Sequence, residues 1–259
     1  MMAEADSEMF WVVQEDLFQQ NERLALLETL RRFAIPHQIV RVSGTYELIP
    51  EVTHAGPIIT NGSIMLSHIA MQRGWTPGSL LNHAFSYEVW HPHLRDYLLN
   101  QDITFTTIAE ADPELDKFFI RPSLDDKSFT GRVSTRADFR VWQADILHRQ
   151  GTLAETRILY GPVRSTGQEH RHFIVDQAVI SSSHYKLNGQ VNQSDIVDPY
   201  IVDFAGRMAA LWQPARAFVL DTYVAGDDIG IVEIGCLSHA GFYAADVQKV
   251  VMALEAMHW

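Results

Sequence analysis

Two carboxylates on neighbouring apolar segments are the first place where this sequence can do chemistry. Phe218-Val219-Leu220-Asp221-Thr222-Tyr223 and Gly230-Ile231-Val232-Glu233-Ile234-Gly235 read as strands joined by a turn containing Gly226-Asp227-Asp228. In such a hairpin Asp221 and Glu233 can sit opposite each other, and two converging carboxylates offer a seat to a hard cation such as magnesium. Acids on exposed strand faces would have no such role. The apolar residues flanking each acid argue instead for buried, central strands, where an unpaired carboxylate is costly.

Cations are the second resource. Phe118-Phe119-Ile120 delivers Arg121 at a strand end, and the polar loop Pro122-Ser123-Leu124-Asp125-Asp126-Lys127-Ser128-Phe129-Thr130-Gly131 follows. That order suits phosphate binding: an arginine fixes one phosphate and a lysine on a loop closes over the others. The glycine spacing is not that of a Walker loop, and a solvated loop in which Lys127 pairs Asp125 or Asp126 is the alternative. Further on, Glu169 and Arg171 lie two apart and so share one face of a strand. They can engage a ribose hydroxyl and an anion, or form salt bridges to neighbouring strands.

These residues need elements to hold them. Phe10-Trp11-Val12-Val13 reads as a strand, 21 to 32 as a helix with Leu24, Leu27 and Leu30 on one face, and 38 to 42 as a second strand. A strand at 57 to 59 and a helix at 64 to 73 complete a small α/β lobe, with Asn61-Gly62-Ser63 as either an anion-binding turn or an ordinary helix cap. The segment 74 to 100 is broken by Trp75-Thr76-Pro77-Gly78 and Trp90-His91-Pro92-His93, which places a boundary near residue 100 between lobes 1–100 and 101–259. His91 and His93 lack a supporting ligand, so no zinc is assigned. Beyond the boundary, strands are expected at 117–121, 156–160, 170–175, 178–183, 217–222 and 230–234, and helices at 203–211 and 245–257. This is an antiparallel-rich α+β pattern.

Composition narrows the classes. A chain of 259 residues, 47% hydrophobic, can bury a large core, and no apolar run approaches the roughly 20 residues of a membrane span. The acidic start Met1-Met2-Ala3-Glu4-Ala5-Asp6 and the single cysteine, Cys236, favour a cytoplasmic setting. A net charge of −12 argues against a nucleic-acid partner held by general electrostatic attraction and makes a small ligand the expected one. Only four of the 20 basic residues are lysines, so an anion site must lean on arginine.

Taken in order, Phe-Ile-Arg-Pro-Ser (119–123), Asp-Lys-Ser-Phe-Thr-Gly (126–131), Glu-His-Arg (169–171) and Val-Glu-Ile-Gly-Cys-Leu-Ser-His-Ala-Gly-Phe-Tyr (232–243) resemble the ATP-grasp superfamily. The likeness is to its bacterial and phage clade with an arginine in place of a usual nucleotide-binding lysine, and it covers about residues 55 to 257. It implies an α+β ATP-grasp fold, with a nucleotide cleft between two α+β lobes preceded by a small α/β N-terminal lobe. By the same resemblance Arg121 holds the α- and β-phosphates of ATP and Lys127 covers them. Tyr160, Gly161 and Val163 belong to a hinge that reads adenine through its backbone. Glu169 faces ribose, Arg171 faces the γ-phosphate or an acyl phosphate, and Asp221 and Glu233 hold Mg2+. Arg171 and Lys127 are the catalytic candidates, acting on an unidentified small-molecule or peptide substrate.

The activity implied is that of an ATP-dependent carboxylate-amine ligase, which needs positioning and charge neutralisation more than a protein nucleophile. Cys236 is accordingly read as a buried strand-end thiol. One departure stands out: the usual Glu-x-Asn pair reads Glu233-Ile234-Gly235, so an amide ligand is missing. Water can fill that position, with Ser238 or His239 contributing indirectly. Alternatively the chain is an inactive nucleotide-binding or protein-interaction module.

Overall fold

The computed structural model describes residues 8–15, 20–124, 128–149 and 152–259. The candidate Lys127, with Asp125 and Asp126, lies outside the described residues.

The chain begins with a mainly parallel five-stranded sheet. It contains β1 (Phe10–Gln14), β2 (His37–Val42), β3 (Leu48–Ile49), β4 (Ile58–Asn61) and β5 (Pro77–Gly78) in the order β3-β2-β1-β4-β5, with α1 (Gln20–Arg32) and α2 (Ile64–Gln72) as crossovers. Ser63 caps α2, its hydroxyl accepting from Leu66 N at 3.4 Å, so the Asn61-Gly62-Ser63 turn is used as a helix start.

The segment from 74 to 100, expected to be irregular, contains a helix, α3 (Tyr87–Leu94). Pro92 obscures it in the sequence, but Tyr87, Trp90 and Leu94 recur on one face and are buried, and that packing outweighs the lost backbone hydrogen bond. His91 packs between Tyr87 and Phe105, and His93 stacks on Trp212, so both histidines serve packing.

A four-stranded antiparallel sheet follows, β6 (Thr104–Thr107), β7 (Lys117–Pro122), β8 (Arg132–Thr135) and β9 (Arg157–Pro162) in the order β6-β9-β7-β8. It is covered by α4 (Arg136–His148), a helix absent from the expected pattern. Its buried stripe is narrow, only Phe139, Gln143 and Ile146, so its periodicity is weak; Thr135, whose hydroxyl caps Asp138 N at 3.1 Å, is the local signal. Phe118, Ile120, Phe139, Ile146 and Ile158 form this lobe's separate core.

The remaining sheet holds β10 (Gln168–Val175), β11 (Ala178–Leu187), β12 (Gln190–Ser194), β13 (Ala217–Ala225) and β14 (Asp228–Gly235), all antiparallel, in the order β12-β11-β10-β13-β14. With α5 (Pro199–Leu211) and α6 (Val247–Glu255) it builds the largest core, into which α1 also sends Leu26, Leu27 and Leu30. The N-terminal sheet is thus fastened to the C-terminal one, and polar ties reinforce the contact. Trp11 Nε1 donates to Glu255 Oε1 (2.7 Å), and Gly62 N donates to the Ser238 carbonyl (2.8 Å).

Among the described residues no helix is long and apolar enough to cross a membrane.

Candidate active site

The two antiparallel sheets enclose a cavity of about 470 Å³, and six of the sequence-predicted site residues line it, Val163 together with Arg121, Glu169, Arg171, Asp221 and Glu233.

β13 supplies Asp221. Seven consecutive residues from Ala217 are buried because β13 is an inner strand between β10 and β14, which is why its sequence is apolar on both faces. Asp221 pairs in register with Glu233 on one side and with Arg171 on the other. The sequence expectation of two opposed carboxylates in a hairpin therefore matches the strand register.

Each acid meets an arginine. Arg171 Nε and Nη2 donate to Asp221 Oδ1 and Oδ2, both at 2.8 Å, and Arg171 Nη1 donates to the Gly241 carbonyl at 3.1 Å. Arg121 Nη2 donates to Glu233 Oε1 at 2.5 Å, joining the two lobes across the cavity. Burial pushes the Asp221 carboxyl up, against the pull of Arg171, and the charges of Glu233 and Glu169 push the same way as burial. Burial also works against the Arg171 charge, but the Asp221 carboxylate outweighs it and holds the guanidinium above its ordinary value.

Glu169 is buried and heavily bonded. It accepts from Thr166 Oγ1 (2.8 Å), Tyr185 OH (2.7 Å) and Lys186 Nζ (3.1 and 3.2 Å). Both Glu169 and Arg171 thus make the cross-strand salt bridges that their spacing allowed, and both line the cavity.

Two β-bulges explain lining residues that local sequence reasoning missed. Successive residues of a regular strand point to opposite faces. The register between β13 and β14 slips between Asp221 and Thr222, leaving Val232 as an extra residue, and Val232 and Glu233 then both line the cavity. The register between β10 and β11 slips in the same way between Glu169 and His170, so Tyr185 and Lys186 both line it. Tyr185 stacks on Tyr243 with ring centroids 4.6 Å apart and planes 7° apart, and Arg171 lies over the Tyr243 ring at 4.9 Å. Nothing in the local sequence marked Lys186 as a cavity cation; the signal was its strand position opposite Glu169.

Tyr160 and Gly161 do not line the cavity. The Tyr160 ring packs edge-on against Phe118 in the small lobe's core. Gly161 passes so close to the Asp102 carbonyl that a Cβ would sit 2.8 Å from it. Their flanking residues Leu159 and Val163 reach the cavity instead.

A second cavity of about 210 Å³ adjoins the first, sharing Arg171, Asp221, Glu233 and Tyr243 and adding Gly235, Cys236 and His239. The acidic pair therefore faces two spaces. Cys236 is buried. Among the described residues no group of three or more His, Cys, Asp or Glu is arranged to hold a metal. Two hard carboxylates nevertheless suit magnesium, which keeps waters and is commonly held by one or two carboxylates together with substrate phosphates.

The fold that carries this cleft, with its arginines and carboxylate pair between two antiparallel sheets, is the ATP-grasp fold. The chain belongs to an ATP-grasp domain family, the third family of its clade, which matches residues 44–254. No curated protein matches the sequence. Three similar solved structures show the breadth of the fold. D-cycloserine synthetase DcsG has a TM-score of 0.62 at 13% identity, covering 95% of this chain and 98% of the other. D-alanine–D-alanine ligase from Bacillus anthracis has a TM-score of 0.60 at 12% identity, covering 95% and 92%. The ATP-grasp ligase PsnB complexed with a minimal precursor has a TM-score of 0.58 at 15% identity, covering 97% and 99%.

Proposed function

We propose that this chain is an ATP- and Mg2+-dependent ligase that activates a carboxylate as an acyl phosphate for attack by an amine or another nucleophile. The observation that carries this reading is the opposed pair Asp221 and Glu233, each bound to an arginine that lines the same cleft.

In this reading the substrate carboxylate attacks the γ-phosphorus and ADP leaves; the nucleophile then attacks the acyl carbon and expels phosphate. Arg121 takes the α- and β-phosphates, the role given to it by the bacterial and phage clade that the sequence resembles. Arg171 faces the transferring phosphoryl group, and Lys186, on the strand beside Glu169, adds positive charge on the same wall. Lys127 is proposed to cover the phosphates. Glu169 receives the ribose, while Val163, with the Tyr160 and Gly161 backbone, forms the adenine hinge. Asp221 and Glu233 would hold magnesium, which supplies neutralisation of the phosphate charge. In this reading residues 101–259 form the catalytic unit and 1–100 a supporting lobe; the largest core nevertheless joins residues of both parts, and the family match begins at residue 44.

The acceptor is a small metabolite, amino acid or peptide. The test is ADP release with magnesium across a panel of amino acid and peptide acceptors, for wild type and Glu233→Ala. No ADP above background, together with unchanged nucleotide binding in Glu233→Ala, would sink the ligase reading.

Gly235 favours a second reading, an ATP-grasp module that binds nucleotide or protein without turnover. ATP binding with little magnesium dependence and no ADP release supports it; no nucleotide binding at all leaves a protein-interaction role.

A further inference from the structure

The two adjoining cavities share Arg171, Asp221, Glu233 and Tyr243, which therefore form the wall between them. Three of these side chains are charged, and the fourth is an aromatic ring.

Tyr243 is held against its backbone preference. Its φ is +53°, in the left-handed region where a bulky side chain crowds its own backbone. Of the non-glycine residues with positive φ among the described residues, it alone lines either cavity. Its neighbours impose the conformation. The Gly241 carbonyl accepts from Arg171 Nη1 at 3.1 Å, Phe242 N donates to Glu22 while the Phe242 ring stacks on Phe173, and Ala244 N donates to Ser183 Oγ at 3.1 Å. A backbone outlier of this kind persists only where the surrounding structure over-determines it, and such outliers cluster at functional sites.

What the strain secures is the position of the ring. Tyr243 lies on Tyr185 with the two planes 7° apart, and Tyr185 is itself fixed, because its hydroxyl donates to Glu169 Oε2 at 2.7 Å. Arg171 Cζ stands 4.9 Å over the Tyr243 centroid and 5.7 Å from that of Tyr185. The edge of the guanidinium is engaged by Asp221 and Gly241, yet each terminal nitrogen keeps a second N–H for a ligand.

Resting on the reading in which Arg171 faces the transferring phosphoryl group, we propose that Tyr243 is a positioning residue whose ring holds the Arg171 guanidinium at the wall between the two cavities. There Arg171 can exchange partners along its edge without leaving the place of the terminal phosphate. The contact acts on that phosphate and on no other part of the nucleotide, so it raises affinity for ATP over ADP.

The experiment is titration calorimetry of ATP and ADP, each with magnesium, on wild type, Tyr243→Asn, Tyr243→Gly and Tyr243→Phe, with thermal unfolding of each to establish that it is folded. Asparagine and glycine both suit a positive φ and both remove the ring, so either is informative if the other fails to fold. Each is expected to lower the ATP-to-ADP affinity ratio about tenfold, the size of one partly desolvated cation–π contact, with little change for ADP. Phenylalanine keeps the ring and is expected to keep the ratio. A ring that served packing alone would lower the melting temperature and leave the ratio where it was. An unchanged ratio in a folded Tyr243→Asn or Tyr243→Gly, or a ratio lost in Tyr243→Phe, overturns this assignment alone. A wild type that binds ATP and ADP equally overturns the place given to Arg171, and one that binds neither overturns the nucleotide reading; the assignment falls with either.

Discussion

Arg171 and Asp221 face each other across neighbouring antiparallel strands and are joined by two parallel hydrogen bonds of 2.8 Å. Both side chains are nearly enclosed, 14% and 5% exposed, so removing either leaves the other charge poorly hydrated. Asp221→Ala is expected to destabilise the fold by about 3–5 kcal/mol, the cost of stranding a buried charge. Arg171→Ala should cost a similar amount, and the double variant much less than the sum. Urea unfolding of the four proteins measures this; additive losses would show that the pair acts as two independent groups.

The same pairing makes magnesium and nucleotide interdependent. With Arg171 on Asp221 and Arg121 on Glu233, both carboxylates are engaged by guanidinium groups. Triphosphate oxygens compete for those arginines and free the acids for a cation. Magnesium is expected to bind at least about tenfold more tightly with ATP present, a coupling of about 1.4 kcal/mol that must be reciprocal. Equal magnesium affinity with and without ATP, measured by calorimetry, would contradict this.

Arg121 bridges the lobes and so has a part in shape as well as charge. Arg121→Lys keeps one positive charge but loses the planar fork. We expect nucleotide affinity to fall by roughly tenfold while the melting temperature changes little, because each partner is partly exposed, at 17% and 27%. A fall in melting temperature with unchanged affinity would reassign Arg121 to structure.

Acid should unfold the large sheet. Burial holds His172 at about 3 and His170 at about 4, with His184 adding to the depression of His170 and Asp198 opposing it. The ordinary histidine value is 6.5, so below it the unfolded chain binds more protons than the folded one and stability falls with pH. The loss begins near pH 6.5 and continues down to about 4 for His170 and about 3 for His172. Its slope is roughly 1–2.5 kcal/mol per pH unit for the two together. Asp221, pushed up, works in the opposite direction near the carboxylate range and offsets part of the loss. Urea midpoints between pH 7 and 4.5 should drop for wild type and drop less for a folded His170→Gln variant. A parallel decline in both would locate the acid sensitivity elsewhere.

Much of the acidic half of the site was legible before the fold. Asp221 and Glu233 announce themselves because a carboxylate inside an uninterrupted apolar strand must have a partner, and a hairpin fixes which residue stands opposite. Arg121 at a strand end and the two-residue spacing of Glu169 and Arg171 are local facts of the same kind, carried by the period of the strand. Other features depend on which strand lies alongside. The bulges that turn Val232 and Tyr185 into the cavity exist only as mismatches with β13 and β10, so no periodicity within β14 or β11 records them. Tyr243 lies in an irregular segment and is set against the cavity by ties from Gly241 to β10 and from Ala244 to β11. Helix α3 forms despite Pro92 because the core rewards burying Tyr87, Trp90 and Leu94. By itself, the sequence determined which side chains carry charge and which strand face they occupy, since both follow from covalent order and backbone period. The tertiary structure alone decided which charges meet and which uncharged groups enclose them, because strand register and lobe packing are set by contacts between residues far apart in the chain.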